Sequence, residues 1–227
     1  MKKVFIGVGH GGADPGAIAH DKQKEKDLNL SIAKACGAYL AARGVSVQYS
    51  RTRDELDPVE QEVAECNNFA PDLAVDIHNN AGGGDGAEVY HTHKGGMGKT
   101  LAVNILTEIG KLGQKSRGAK TRTNASGSDY YAFIRQTKAP AVIVECAFVD
   151  SNDLAIIDTE AERVKMGEAI ARGILTTLGV TDKPSQSPTE PGKLYRVQVG
   201  AYRDKRNAEA EVARLARLGV AAIITTT

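Results

Sequence analysis

Short apolar runs recur along the first 180 residues, and each has the length of a β-strand. They occupy residues 4–8, 45–49, 73–77, 87–93 and 141–144. The first and last of these runs are apolar throughout, which is typical of strands buried on both faces of a sheet. The run at 45–49 alternates apolar and polar residues and predicts a half-buried strand.

Amphipathic segments separate these runs and predict helices. Leu28, Ile32, Ala35 and Tyr39 recur at helical spacing, and Gly44 ends their segment. Three more helices are predicted at residues 57–70, 101–112 and 160–178, with Gly179 as the stop of the last.

The helix that precedes Pro71 has a recognisable start. Asp57 is expected to cap its N-terminus, with Pro58 in the first turn and Glu60 as the acid of a capping box. Strands and helices thus alternate through the region. This alternation predicts an α/β fold with a mostly parallel, twisted sheet flanked by helices on both faces.

The last fifth of the chain differs in composition. Residues 181–192 are rich in Pro, Ser and Thr and are expected to be a linker. Beyond them, apolar runs at 194–202 and 220–224 flank a helical pattern of Ala208, Val212 and Leu215. Residues 193–227 are therefore predicted to form a small C-terminal β-α-β module, and residues 1–180 the main domain.

The 227 residues have a globular composition, with 41% hydrophobic and 25% charged residues. No apolar stretch approaches the roughly 20 residues that a membrane helix requires. The net charge of +1 is unevenly distributed, because residues 193–227 contain seven Lys or Arg against three Asp or Glu. Such a basic module suits a nucleic acid or another anionic polymer.

The three cysteines, Cys36, Cys66 and Cys146, are odd in number and form no Cys-x-x-Cys pair. They lie within helix-like or strand-like patterns and are expected to be reduced and buried. Cys146 directly follows Glu145, and a nucleophilic thiol is the alternative. Adjacent strand residues point to opposite faces, so Cys146 faces away from any cleft that Glu145 faces.

Four polar residues fall at the junctions where open α/β sheets bind ligands. His10, His78 and Glu145 each follow an apolar run, and Glu25 lies just before the first helix. The carboxyl ends of parallel strands meet at one edge, so these residues are expected to converge. Two imidazoles and a carboxylate suit a zinc ion with one position open for water, and a further carboxylate can act as a base. Each residue alone is better explained as a loop residue or a capping acid, but together they predict metal-dependent hydrolysis.

The motifs around these residues resemble those of a known family. They are Gly9-His10-Gly11-Gly12 with Asp14-Pro15-Gly16, Glu25-Lys26, Ile77-His78-Asn79-Asn80-Ala81, and Pro140-Ala141-Val142-Ile143-Val144-Glu145 with Phe148. In this order, over roughly residues 1–179, they resemble the zinc-dependent N-acetylmuramoyl-L-alanine amidases of the amidase-3 type. The resemblance implies that His10, Glu25 and His78 are zinc ligands and that Glu145 is the catalytic glutamate.

The resemblance also implies a substrate. It is peptidoglycan, cut at the amide between N-acetylmuramic acid and the first L-alanine of the stem peptide. Asn80 matches the asparagine of the family's histidine motif and either binds substrate or shapes the turn. Glu62 stands where the family often has arginine, and Ala147 where glycine is common. These two departures concern fine specificity rather than the metal site.

The C-terminal module resembles half of a SPOR domain, a family that binds peptidoglycan glycan strands. The stretch Tyr195-Arg196-Val197-Gln198-Val199-Gly200-Ala201-Tyr202 carries this resemblance. So small a unit buries little core by itself, so it either pairs with a second copy in a homodimer or is a flexible, partly folded tail. Peptidoglycan is thus the expected partner, rather than nucleic acid or a membrane.

The apolar run at 4–8 is too short for the core of a signal peptide and is expected to be the first strand. We therefore expect a protein that is made in the cytoplasm without a signal peptide and acts on the cell wall after release. A phage endolysin and a mother-cell autolysin both fit this description.

Two other functions are compatible with parts of the chain. One is a non-catalytic wall-binding protein, against which the complete set of His10, Glu25, His78 and Glu145 argues. The other is a P-loop ATPase, because Lys94-Gly95-Gly96-Met97-Gly98-Lys99-Thr100 is similar to the variant P-loop of MinD-like and ParA-like ATPases. Its position in mid-chain and the lack of a later strand ending in aspartate disfavour the ATPase.

His91 and His93 would share one face of a strand and could bind a metal as a pair. Without a third ligand nearby, they are expected on a solvated face instead.

Overall fold

The predicted alternation of strands and helices is present in the computed structural model, which describes residues 1–184, 198, 200–217 and 222–225. The chain divides into two units, residues 1–185 and 186–227. The strands of the first unit are β1 (Lys3–Val8), β2 (Ser46–Tyr49), β3 (Leu73–Asn80), β4 (Ala87–His91), β5 (Ser116–Lys120) and β6 (Ala141–Phe148). Its helices are α1 (Glu25–Ala41), α2 (Val59–Phe69), α3 (Gly96–Gly110), α4 (Ala132–Gln136) and α5 (Glu160–Leu178), with a 3-10 turn at Asn152–Ile156.

The six strands form one sheet in the order β2-β1-β3-β6-β4-β5. The first four of these run parallel, whereas β4 and β5 run parallel to each other and antiparallel to β6. The predicted mostly parallel α/β sheet is confirmed. The carboxyl ends of β1, β3 and β6 meet at one edge, and the carboxyl end of β4 lies at the opposite edge.

Both faces of the sheet are buried, as predicted. Ile6 and Val144 belong to the core beneath α1, α3 and α5, whereas Phe5 and Ile143 belong to a second core beneath α2 and α4. Full burial of such a side chain contributes about 1.5–3 kcal/mol relative to exposure. Since strand residues two apart share a face, Glu145 lies on the same face as Ile143, the face covered by α2 and α4.

The helix ends show where local signals succeed and fail. Thr159 caps α5 in a reciprocal capping box with Glu162, and Gly179 ends that helix in the left-handed conformation. The predicted capping box at Asp57 is wrong, because Pro58 is the N-cap of α2 and no side chain caps it. Asp57 therefore lies one residue too early to reach the amides of the first turn.

Two elements were not predicted, β5 and α4. The sequence of β5, Ser-Arg-Gly-Ala-Lys, has no hydrophobic alternation, because this edge strand buries none of its side chains fully. Its place in the sheet is determined by pairing with β4, which is remote in sequence.

The prediction of a solvated position is wrong for His91 and confirmed for His93, which is exposed. β4 ends at His91, which is buried and has Nδ1 2.8 Å from the carbonyl oxygen of Thr92. His93 follows the strand, and its Nδ1 lies 2.8 Å from Oδ1 of Asp129. Because the strand ends between them, the two histidines do not share a face.

The segment similar to a P-loop, residues 94–100, follows β4 and enters α3. Since β4 is antiparallel to β6, this segment lies at the edge of the sheet opposite His10, His78 and Glu145. It therefore takes no part in the site that these residues form.

The apolar run at 4–8 forms most of β1, which pairs with β2 on one side and β3 on the other. Where the protein acts in the cell stays a prediction. Among the described residues, no helix is both long and apolar enough to cross a membrane. Cys36, Cys66 and Cys146 are buried free thiols, and burial raises the pKa of Cys146 well above its ordinary value, which disfavours the nucleophilic thiolate.

In the second unit, the predicted helix is present as α6 (Lys205–Arg217), and Leu215 is buried. Of the two predicted strands, residues 198, 200–202 and 222–224 are described and none of them is in a strand; the remaining residues of both lie outside the described part of the chain.

Candidate metal centre and active site

The three predicted metal ligands lie together at the carboxyl edge of the sheet. His10 follows β1, Glu25 is the first residue of α1, and His78 is on β3. Each offers one ligand atom, and these atoms lie within 4.8 Å of one another. The backbone of His10 has a φ of 62°, a left-handed conformation that is uncommon outside glycine and turns the chain out of the strand.

Glu25 is the buried centre of this group. Its Oε2 lies 3.2 Å from Nε2 of His10 and accepts a hydrogen bond from the backbone N–H of Ala17. Its Oε1 lies 3.2 Å from Nδ1 of His78 and accepts a hydrogen bond from the backbone N–H of Asn79. These amides and the N-terminus of α1 hold the carboxylate in one orientation.

The second nitrogen of each imidazole contacts another carboxylate. Nδ1 of His10 lies 2.8 Å from Oδ2 of Asp14, and Nε2 of His78 lies 3.1 Å from Oδ2 of Asp76. When each carboxylate accepts a hydrogen bond from the ring, the other ring nitrogen presents its lone pair toward Glu25. Metal-ligating histidines are commonly held in this way.

Two glycines leave room for these side chains. A Cβ on Gly9 would lie 2.2 Å from Cε1 of His78, and a Cβ on Gly16 would lie 2.6 Å from Oε2 of Glu25. Gly16 also has a φ of 63°, which glycine adopts without strain. A larger residue at either position would displace a predicted ligand.

The charges in this group favour a bound cation. Hydrogen bonding to Glu25 raises the pKa of His10. Burial disfavours charge on His78, yet Asp76 and Glu25 hold its pKa well above the ordinary value. Burial also opposes ionisation of Glu25, but the two histidines keep its pKa well below its usual range. The carboxylates that attract protons to the imidazoles would also attract a divalent metal ion.

The residues present fit a zinc ion. Two imidazoles and one carboxylate are the donors of many catalytic zinc sites, and both imidazoles have carboxylate partners that orient them. Within the part of the chain that the structure describes, this is the one such group of three potential metal ligands.

Glu145 lies beside His78 in register, on the adjacent parallel strand β6. Neighbouring strands are about 4.7–4.9 Å apart, so Glu145 borders the metal-ligand group. Its Oε2 makes no hydrogen bond with the described residues. Burial, reinforced by the charges of Glu25 and Asp76, raises the pKa of Glu145 to about 7. A carboxyl group with this pKa can accept and return a proton near neutral pH.

Asn80 lies at the end of β3, but its amide is engaged within the protein. Its Nδ2 donates a hydrogen bond to Oε1 of Glu88, and its Oδ1 accepts one from the backbone N–H of Ala81. The second of these bonds shapes the turn, and the first links Asn80 to Glu88 beside Glu145. Direct binding of substrate by Asn80 stays a prediction.

A cleft of about 310 Å³ opens beside His10 and His78, and carboxyl groups form much of its polar lining. Asp57, Glu62 and Asp76 line it, and each has a buried side-chain oxygen without a hydrogen-bond partner among the described residues. Burial and the neighbouring Asp76 raise the pKa of Glu62 well above its ordinary value. Glu62, noted above as a departure from the family pattern, is thus a buried residue that lines this cleft.

The family model Amidase_3, described as N-acetylmuramoyl-L-alanine amidase, matches residues 4–176. The chain belongs to this amidase family. A SPOR domain model matches residues 191–227 of the same amidase, so both resemblances seen in the sequence are confirmed.

The amidase is 33% identical over 231 residues to the N-acetylmuramoyl-L-alanine amidase CwlM of Bacillus licheniformis, covering 99% of this chain and 85% of that protein. It is 33% identical over 217 residues to a sporulation-specific N-acetylmuramoyl-L-alanine amidase of Bacillus subtilis, covering 92% and 79%. It matches the catalytic domain of the amidase CwlV from Bacillus (Paenibacillus) polymyxa with a TM-score of 0.72 and 27% identity, covering 80% of this chain and 100% of that one. Family, relatives and fold agree on a peptidoglycan amidase.

Several residues that build the amidase site were not predicted from the sequence. Arg51 is fully buried and donates hydrogen bonds to the carbonyl oxygens of Val8 and Gly9, which fixes the loop carrying His10. Asn29 donates to the same carbonyl of Gly9. Arg51 lies in a polar stretch after β2, and its acceptors are more than forty positions earlier. No local pattern marks it as buried.

Proposed function

We propose that this amidase is zinc-dependent and cleaves the amide between N-acetylmuramic acid and the L-alanine of the stem peptide. His10, Glu25 and His78 hold the zinc ion, and Glu145 is the catalytic glutamate. The observation that carries the proposal is the group of three ligand atoms within 4.8 Å of one another, bordered by Glu145, whose pKa is about 7.

Each residue has a distinct part in the reaction. When bound, the zinc ion supplies a Lewis acid that activates water and polarises the scissile carbonyl. Glu145 accepts the proton of the attacking water and returns it to the nitrogen of the departing L-alanine. Asp14 and Asp76 keep the two imidazoles oriented for the metal.

Metal content and product analysis on one preparation test this proposal. We expect about one zinc ion per chain and new L-alanine amino termini in digested peptidoglycan, both lost on treatment with a chelator. Zinc without cleavage would instead support a non-catalytic wall-binding protein. Cleavage that persists after complete removal of metal would contradict zinc dependence.

Asp76→Asn should weaken zinc binding about 10- to 100-fold, the usual effect of removing a partner that orients a metal ligand. Asparagine retains the shape of Asp76 but loses the charge that favours a hydrogen bond from Nε2 of His78. The zinc dissociation constant, measured by chelator competition, tests this prediction. Asp85→Asn, in an exposed loop, is the control, and equal zinc affinity in both variants would contradict the role of Asp76.

Removal of residues 186–227 should separate cleavage from wall binding. The truncation keeps Asp182, because Tyr39 of α1 and Arg43, which follows that helix, donate hydrogen bonds to its carboxylate. We expect unchanged kcat/KM on soluble muropeptides. Activity on whole walls should fall at least about tenfold, since a second binding module raises the local enzyme concentration. Equal losses on both substrates would contradict a wall-targeting role for the module.

We also propose that the C-terminal module pairs with a second copy. A β-α-β unit of this size buries too little apolar surface to be stable alone. Sedimentation equilibrium should give a dimer mass for residues 1–227 and a monomer mass for residues 1–185. A monomeric full-length chain would contradict the pairing.

A further inference from the structure

Glu88 on β4 lies between the catalytic region and the edge of the sheet. It pairs with Glu145 on the antiparallel strand β6 and with Gly118 on the parallel strand β5. Directly opposed residues of an antiparallel pair have Cβ atoms about 4.5–5.5 Å apart. Glu88 is therefore one strand from Glu145, and β5 is one strand further.

Glu88 is 3% exposed and holds two cationic side chains in place. Nε of Arg117 donates a hydrogen bond to Oε2 of Glu88 at 2.7 Å, and Nζ of Lys120 donates to the same oxygen. The side chains of Arg117 and Lys120 remain 36% and 34% exposed. Two cations against one carboxylate leave a net positive charge here.

The guanidinium of Arg117 is held by one hydrogen bond and has further donors to offer. A register shift in the β4–β5 pair, where Ala87 opposes Ser116 and Glu88 opposes Gly118, makes Arg117 the extra residue of a β-bulge. Bulges beside active sites redirect side chains. Within the described residues, only Nε of Arg117 makes a hydrogen bond, so its Nη groups can bind a carboxylate through paired hydrogen bonds.

On the other side of Glu145, the cleft beside His78 is lined by the carboxyl groups of Asp57, Glu62 and Asp76, and no lysine or arginine among the described residues lines it. The muramic acid side of the scissile amide is uncharged, since its lactyl carboxyl group is part of that amide. The stem peptide, in contrast, carries carboxylates within its first three residues. Charge complementarity therefore directs the peptide carboxylates toward Arg117 and Lys120 and leaves the cleft beside His78 to the uncharged sugar.

On the basis of the amidase function proposed above, we propose that Arg117 and Lys120 bind a carboxylate of the stem peptide beyond the scissile bond. β5 lies two strand spacings from β6, about 10 Å. An extended peptide spans that distance in about three residues. The ligand is thus the free carboxylate of the second or of the third residue, which present the same chemistry.

Three soluble muropeptides test the subsite: one with both carboxylates free, one amidated at the second residue and one amidated at the third. For the wild type, amidation at one of these positions should lower kcat/KM about 10- to 100-fold, since hydrogen bonds to charged groups are the strong ones. In the variant Arg117→Gln/Lys120→Gln this difference should nearly disappear. Equal cleavage of all three substrates by the wild type, or a difference that persists in the variant, would overturn the proposal.

Two further variants control for a folding defect and for the loss of a surface charge. Loss of both cations leaves the carboxylate of Glu88 buried without a charged partner, which destabilises the protein. Adding Glu88→Gln removes that charge, and the triple variant should show the same loss of discrimination. Lys115→Ala is the matched control, because Lys115 is exposed, precedes β5 and pairs with Asp85. It should keep the discrimination of the wild type.

Calorimetric binding of the free peptides distinguishes failure of the subsite from failure of the amidase function. The wild type should bind the peptide with free carboxylates more strongly than the amidated peptide, and the triple variant should bind both equally. This result would support the subsite whether or not the enzyme cleaves the muramoyl–alanine bond. Cleavage of the muropeptides without any such preference overturns the subsite alone.

Discussion

Replacing Glu145 by glutamine should lower kcat on soluble muropeptides about 10²- to 10⁴-fold, the usual contribution of general acid–base catalysis. Glutamine keeps the shape of the side chain but cannot accept the proton of the attacking water. The variant should keep its zinc, because Glu145 is outside the group of three ligand atoms. Measuring kcat and zinc content on the same samples separates a chemical defect from a loss of metal.

The pH dependence gives a second signature of Glu145. Its carboxylate form is the base, so activity should fall as the pH drops below its pKa, which is about 7 in the metal-free protein. A zinc ion nearby favours the charged carboxylate and lowers that pKa. The wild-type kcat/KM should therefore rise with pH and level off at or below about pH 7. In Glu145→Gln this rising limb should be absent.

Glu168→Gln is the matched control for this experiment. Glu168 lies on α5, which packs on the other face of the sheet, and pairs with Arg172 on the same helix. It should behave as the wild type. A Glu145→Gln enzyme with kcat near the wild-type value would contradict the assignment of Glu145 as the catalytic base.

Replacing His78 by alanine should abolish both zinc binding and cleavage. The variant removes one of three ligands and leaves Glu25 and Asp76 without the imidazole between them. Zinc content should fall from about one ion per chain to a trace, because catalytic zinc sites rest on three protein ligands. Metal analysis after dialysis, together with release of L-alanine amino termini, tests this prediction.

Thermal unfolding distinguishes loss of metal from loss of fold. A ligand that binds the native state raises the Tm, so added zinc should raise the Tm of the metal-free wild type. It should leave the Tm of a folded His78→Ala variant unchanged.

His20→Ala is the control, because His20 is exposed and its Nε2 contacts the carbonyl oxygen of Asp150 rather than a predicted ligand. His20→Ala should bind zinc as the wild type does. Stoichiometric zinc in an active His78→Ala enzyme would refute the proposed ligand set.

The sequence was most informative where one interaction decides the structure locally. Val4–Val8 and Ala141–Val144 had to be buried strands because exposing so many adjacent apolar side chains is unfavourable. The motifs at their carboxyl ends could then be placed at one edge by the geometry of parallel strands. For this reason, the convergence of His10, His78 and Glu145 could be predicted from the sequence.

Other features were hidden because their partners are distant in the chain. A local pattern was also misleading at Asp57, which resembles a helix cap although the adjacent Pro58 occupies that position. β5 has no strand pattern of its own and is held at the edge by β4.

The amino-acid sequence was thus sufficient to predict the alternation of strands and helices, the four residues proposed for catalysis and the two family resemblances. Tertiary structure alone decided which carboxylates orient the histidines, that Arg51 is buried, and that Glu88 holds Arg117 and Lys120 beside Glu145. The physical reason is the separation along the chain of the residues that interact. Hydrophobic periodicity acts between near neighbours and is visible in the sequence, whereas these polar contacts join segments that become neighbours only when the sheet is assembled.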